Sequence, residues 1–443
     1  MDAPVGCFVS PSDFDVNRFI GRGCYSVVYE VAKRNGTDSG SHYALKRFFL
    51  ENDSSVKCVL RERRILERLA LADYESPFLP KLLYGLWFNY SSAFILREGA
   101  GCDLYDLLCH VGFLSETNAR FYLAEVICGL EHLHSLNIVH LDIKPENVLF
   151  YPDGHVFLSD LDRSFDISLG MKPTLDDFTG TPLFMAPEIA KGEVIDLRAD
   201  IWSLGALVAE MVAGPIRPDS QDTAQEFQRA RSGTYAIRGL KRFSKPLQSF
   251  FTACLQKSLN QRPHLKDVKK LRFLRYIDWE KANNLDLLPP YKTSEIHHRP
   301  AKEERGPLRS TDQRVLSGAF SPLRPVVFAS SKAKKKQTKQ CAIPVDSFTE
   351  QRPSSALTDC LRKDGYTLEL LDEKFKCFNF VHPSLRCDCN ATKPKSPITK
   401  LAALPQDDLD TLFGDKLKIM DLEEPSSPSL FRRTRKRGLS IGD

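Results

Sequence analysis

The sequence contains no Cys-x-x-Cys pair, and no histidine spacing that suits zinc. Its twelve cysteines are scattered singly apart from Cys387 and Cys389, so reduced thiols are expected, and with them a cytoplasmic or nuclear setting. No apolar run approaches the roughly 18 residues of a membrane span, and the opening MDAPVGCF has neither the basic nor the apolar stretch of a secretory leader. Neither membrane insertion nor secretion is expected. An excess of one charge sign is also lacking: the net value is +5 over 443 residues, which gives a nucleic-acid or membrane partner no strong support. Hydrophobic residues make up 42% of the chain and aromatics 10%, enough for a sizeable core, and the length exceeds that of one ordinary domain.

From Phe14 to about Leu274 strand-like and helical stretches alternate with few breakers. Phe14–Ile20, Ser26–Ala32 and His42–Phe49 read as strands, and Val59–Ala72 has apolar residues at helical spacing. Asn118–Leu136, Asp200–Ala213 and Leu247–Lys257 read as helices, so a β-rich N-terminal lobe with one long helix precedes a mainly α-helical lobe. From about Thr293 onward the chain turns polar, charged and Pro/Ser-punctuated, the composition of a largely disordered tail. That tail carries the lysine run Ser331–Lys339, Ser-Pro dipeptides at Ser321, Ser396 and Ser427, and a basic end at Arg432–Arg437. The aromatics that stack bases are not interleaved with these basic stretches, so nuclear-import signals or solvated linkers are expected there and no nucleic-acid contact.

Gly21-Arg22-Gly23-Cys24-Tyr25-Ser26-Val27 lies between two strand-like runs, where glycines let a turn close over phosphates. Alone, such a turn reads equally as a plain hairpin. Lys46 follows on the next strand, and Glu62 on the long helix behind it is the candidate counter-ion that would hold the lysine against nucleotide phosphates. Glu67 is the alternative, but it suits the solvent face better. The most specific cluster is His140-Leu141-Asp142-Ile143-Lys144-Pro145-Glu146-Asn147, followed by an apolar strand, a turn at Pro152–Gly154, and Val156–Asp160. One carboxylate, Asp142, can orient an attacking hydroxyl; Asn147 and Asp160 supply oxygen ligands for Mg²⁺; Lys144 can neutralise charge on a phosphoryl group in flight.

These residues resemble the eukaryotic protein kinase family. Further landmarks occur in family order: Thr181-Pro182, Ala186-Pro187-Glu188, Asp200–Gly205 and Arg262-Pro263. The resemblance covers residues 14–274 and implies an α+β, bilobal fold that uses ATP and Mg²⁺ on protein substrates. It implies catalytic roles for Asp142, Lys144 and Asn147, and metal ligation by Asn147 and Asp160. Gly21, Arg22, Gly23, Cys24, Val27, Val28, Tyr29, Lys46, Glu62, Leu96 and Asp160 are expected to line the nucleotide. Glu188 is expected to brace Arg262, and Asp200 to anchor the catalytic loop. Asp142-x-Lys144 with Thr181 looks like the serine/threonine branch. Tyr276–Trp279 and Leu288–Tyr291 look like the start of the C-terminal extension (275–292) of the AGC group, which includes the ribosomal S6 kinases; Phe375–Phe380 resembles that group's hydrophobic motif within the tail 293–443. Asp103, Glu146 and Glu210 fall where that group reads substrate arginines, implying R-x-x-S/T sites.

The departures from the family pattern matter. Leu141 stands where an arginine is usual, Asp177 where a phosphothreonine is usual, and Asn379 lacks the hydroxyl of the hydrophobic-motif site. Together they imply activity that does not wait for phosphorylation there. Asp160-Leu161-Asp162 replaces Asp-Phe-Gly, and the extra carboxylate either perturbs the metal site or turns toward Arg163; Ser26 in place of a third loop glycine is milder. Asp162 leaves open a scaffold that binds nucleotide and partners without turnover. The tail adds an autophosphorylation candidate at Ser440 and Ser-Pro sites for upstream proline-directed kinases.

Overall fold

The computed structural model describes residues 13–22, 26–48, 52–88, 91–97, 101–214, 223–296, 343–344 and 363–385, with Val9, Leu50, Gly99 and Leu361 as single positions. Gly23, Cys24, the side chain of Arg22, the lysine run and the Ser-Pro and Ser440 sites lie outside them. The N-terminal lobe is an antiparallel sheet. Its strands are β1 (Phe14–Arg22), β2 (Ser26–Lys33), β3 (His42–Phe48), β4 (Leu82–Phe88) and β5 (Ser91–Arg97), and the long helix α1 (Asp53–Ala70) is inserted after β3. Two tail strands, β10 (Ile343–Pro344) and β11 (Phe380–Val381), extend the edges to give the order β10-β1-β2-β3-β5-β4-β11.

Strand alternation gives this sheet two working faces. Phe14, Val27, Val31, Leu45 and Ile95 bury one of them as a separate apolar cluster. Opposite side chains on one face register across the strands, Val28 with Lys46 and Lys46 with Phe94, so this row looks toward α1 and the second lobe. The helix begins at Asp53, earlier than the apolar periodicity at Val59 suggests. Its start is set by a capping box in which Asn52 and Ser55 each satisfy the other's backbone N–H, a polar signal that apolar spacing does not register.

The second lobe is mainly helical: α2 (Leu104–Val111), α3 (Glu116–Ser135), α4 (Pro187–Lys191), α5 (Arg198–Ala213), α6 (Thr223–Ser232), α7 (Lys245–Cys254), α8 (Leu265–Val268) and α9 (Trp279–Asn283). Helix α5 is buried along nearly its whole length, from Ala199 to Val212, as expected for a helix apolar on all sides. Short strands β6 (Ile138–Val139), β7 (Val148–Phe150), β8 (Val156–Leu158) and β9 (Phe165–Asp166) pair as β6-β9 and β7-β8 and hold the loops between them. Glu125 on α3, wholly buried, accepts from the Val156 N–H at 2.8 Å and meets His155 Nδ1 at 2.6 Å, tying α3 to β8.

Residues 363–385 pack on the N-terminal lobe. Helix α10 (Leu368–Lys374) leads into Phe375, stacked on Trp87 at 4.1 Å, and Phe378, stacked on Phe94 at 5.3 Å. Arg63 Nε donates to the Phe378 carbonyl at 2.9 Å, the Trp87 N–H donates to Asn379 Oδ1 at 2.7 Å, and His382 Nε2 lies 2.9 Å from Glu75. β11 then pairs with β4, Phe380 opposite Gly85. Gly85 is what lets the tail come so close, since a Cβ there would sit 2.6 Å from the Phe378 carbonyl oxygen. Gly85→Val is therefore expected to displace the segment and raise amide exchange across 375–382 at least tenfold while α5 keeps its protection; unchanged exchange would refute this docking.

Candidate active site

The loop from β6 to β7 carries the most specific sequence cluster, and buried groups hold it from below. Asp200, at the start of α5 and wholly buried, accepts the His140 N–H at 2.8 Å and the Leu141 N–H at 2.9 Å. His140 is also fully buried; its Nε2–H donates to the Ser159 carbonyl at 3.0 Å and its Nδ1 accepts the Asp142 N–H at 3.3 Å. Burial depresses the His140 pKa, in keeping with a neutral ring that donates at one nitrogen and accepts at the other. Leu141 adopts φ +65°, and its side chain packs with Phe165, Met185 and Ile189. An apolar contact thus stands where the family pattern has a cation.

Asp142 is encircled by donors. Thr181 reaches Oδ1 through its N–H at 3.0 Å and its hydroxyl at 2.8 Å; Lys144 Nζ reaches Oδ2 at 2.6 Å, and Asn147 Nδ2 reaches the same oxygen at 3.1 Å. Lys144 also donates to Thr181 Oγ1 at 2.9 Å, closing the ring. The close approach of the two loops needs Gly180, which has φ +151° and where a Cβ would lie 2.8 Å from the Leu141 carbonyl oxygen. The Asn147 amide nitrogen is further occupied by the Asp142 carbonyl at 2.8 Å, which turns its carboxamide oxygen away from that loop. Thr181 was legible only as a branch marker in the sequence; its hydroxyl belongs to the site because the activation segment, residues 160–188, folds back onto the catalytic loop.

Lys46 Nζ lies between two acids, 2.8 Å and 2.9 Å from the Glu62 oxygens and 2.7 Å from Asp160 Oδ1. Burial works against the ammonium, but Asp160 and Glu62 outweigh it and hold the Lys46 pKa above its ordinary value. Asp160 has φ +64°, a strained backbone for a residue with a Cβ, and burial is outweighed there by Lys46 and Lys144, which keep it below the usual carboxylate range. Asp162 is different: burial and the neighbouring Asp160 push it up to about 7. Its nearest cation, Arg163 Nε, is 3.8 Å away, so the turn toward Arg163 is not closed by a hydrogen bond between the two side chains. Glu67, the alternative counter-ion on α1, is half exposed and pairs with Arg63 at 2.9 Å instead of Lys46.

Among the expected nucleotide-lining residues, Val28 and Leu96 share the sheet face of Lys46, whereas Val27 and Tyr29 do not. Adjacent residues of a strand point to opposite faces, and the side chains of Val27 and Tyr29 pack into the outer apolar cluster, which leaves their backbone as the part that lies beside the Lys46 face. Of the acids expected to read substrate arginines, Asp103 caps α2 by accepting the Asp106 N–H at 2.7 Å and bridges to Leu149 in the strand after Glu146, while Glu210 is buried on α5. Glu188 and Arg262 form a two-pronged pair at 2.5 Å and 3.0 Å.

This geometry is matched by sequence comparison: residues 14–274, more than half of the chain, fit the model of the protein kinase domain. The chain belongs to the protein kinase family. Its similar relatives within that family include the putative ribosomal protein S6 kinase alpha-1 of Caenorhabditis elegans, 34% identical over 286 residues, which are 64% of this chain and 36% of the relative. Ribosomal protein S6 kinase alpha-1 of Homo sapiens is 32% identical over 64% of this chain and 38% of its own length. Ribosomal protein S6 kinase alpha-6 of Danio rerio is 30% identical over 73% and 45%. The kinase chain described here thus spans between about a third and a half of the length of these curated relatives.

Proposed function

We propose that the chain is a serine/threonine protein kinase that transfers the γ-phosphoryl group of Mg·ATP to protein hydroxyls near arginines, and that it does so without activation-segment phosphorylation. The observation that carries this reading is the pair of assembled networks: Asp142 held by Thr181, Lys144 and Asn147, and Lys46 already on both Glu62 and Asp160. In this reading Asp142 orients the substrate hydroxyl and accepts its proton, Lys144 offsets charge on the phosphoryl oxygens, and Lys46 grips the nucleotide phosphates. The outward carboxamide oxygen of Asn147 and the Asp160 carboxylate fit a magnesium ion, which takes few protein ligands. Bound there, it would neutralise phosphate charge. Substrate arginines would meet Asp103, Glu146 and Glu210, and a cytoplasmic or nuclear location suits the thiol content.

Asp162, beside Asp160, favours a second reading in which the site binds nucleotide without turnover. One assay separates the two. Phosphatase-treated protein is expected to phosphorylate an R-x-R-x-x-S peptide, with kcat/KM falling about tenfold for each arginine replaced by alanine. Nucleotide binding with no transfer to any peptide would establish the scaffold reading; transfer indifferent to the arginines would remove only the basic-site preference.

A further inference from the structure

Helix α1 carries Lys57, Arg61, Arg64 and Arg68 at helical spacing, and this stripe faces acids of the stretch 166–177. Lys57 lies 3.4 Å from Asp176. Arg61 pairs with Asp177, and their side chains are only 15% and 9% exposed. Asp177 does not swing freely, because its other oxygen accepts the Thr174 N–H at 2.6 Å and the Thr174 hydroxyl at 2.9 Å. At the far end Arg68 pairs with the buried Asp166 and donates to the Leu136 carbonyl at 3.1 Å. Asp166 belongs to β9, which pairs with β6, and β6 runs directly into the catalytic loop.

Glu62 follows Arg61 immediately in this helix, and it shares Lys46 with Asp160 of the second lobe, so keeping all three together requires α1 to stay turned toward both β3 and the segment that begins at Asp160. We infer that Arg61 and Arg68 are positioning residues: they fasten α1 to the segment 166–177 at two points, so that Glu62 is held on Lys46 by carboxylates built into the chain. The inference rests on the kinase reading above and deepens it by naming what replaces a phosphate. Leu141 fits the same scheme, since the catalytic loop meets the activation segment there through apolar packing. Breaking a largely buried pair leaves the remaining charge uncompensated, which costs more than the pair itself contributes.

The test uses the full chain with Arg61→Ala, Asp177→Ala, Arg61→Lys and the exchanged pair Arg61→Asp with Asp177→Arg. Peptide transfer and amide exchange of residues 57–66 in nucleotide-free protein are both measured. Each alanine variant is expected to lower kcat roughly tenfold and to speed exchange by a similar factor, with KM for the peptide nearly unchanged. The lysine variant and the exchanged pair should each return both readouts to within about threefold of the parent, which a merely structural loss would not do. Alanine variants that match the parent in both, or an exchanged pair no better than the worse single variant, would overturn the inference. A parent chain without turnover would defeat the kinase reading alone, because exchange in α1 still reports whether the pairs hold the helix.

Discussion

Asp142→Asn is expected to lower kcat for peptide phosphorylation by about 10²–10⁴-fold, the range that a positioned general base contributes. Affinity for Mg·ATP should stay within roughly threefold, since Lys46 and Asp160, which would hold the nucleotide end, do not depend on the Asp142 carboxylate. The change keeps shape and removes charge. An amide offers one acceptor oxygen where the carboxylate offers two, and here both are in use, by Thr181 on one side and by Lys144 and Asn147 on the other. One of these donors must then face an NH₂ group, so a modest stability loss of about 1 kcal/mol should accompany the kinetic one. Steady-state transfer with calorimetric nucleotide titration separates the two effects. A variant that retains more than a tenth of the parent's kcat would remove Asp142 from the catalytic role.

Arg262→Ala should have the largest effect on stability. Its guanidinium is almost fully buried, pairs with both Glu188 oxygens, donates to the Arg198 carbonyl at 2.9 Å and to the Gln256 carbonyl at 3.0 Å, and lies 5.4 Å from the Trp202 ring centre. Truncation strands Glu188, only 4% exposed, without its cation. A loss of about 3–5 kcal/mol is expected, a large share of the ~5–15 kcal/mol that domains have in total. Denaturant unfolding should show the midpoint falling with little change in slope. Replacing both partners, Arg262→Met with Glu188→Leu, should cost less than Arg262→Ala alone, because no buried charge is left unpaired. A single-variant loss below about 1 kcal/mol would mean that water or another group already compensates Glu188.

Much of this site was legible in the chain because its chemistry leaves little choice of residue. Phosphoryl transfer needs a base, a charge-neutralising lysine and oxygen ligands near one another, and the run His140–Asn147 with Asp160 supplies them within a short loop and the hairpin after it. The bracing of Arg262 by Glu188 and the anchoring of the catalytic loop by Asp200 were equally expected and are equally present. Which valine faces the lobe interface was not legible. Val27 and Val28 are chemically alike, and only the β2–β3 register, with Val28 opposite Lys46, separates them.

The sequence by itself determined the fold class, the order of the two lobes and the identity of the catalytic loop, since apolar periodicity and short-range spacing are local properties. Tertiary structure alone decided that Asp177 meets Arg61, that Asp166 meets Arg68, and that Gly85 admits the Phe378 carbonyl. Each of those contacts joins residues roughly a hundred or more positions apart. A lone charge or a lone glycine in the chain carries no mark of its partner; the partner is set by how sheet, helix and loop pack, and the energy of the contact exists only once they have done so.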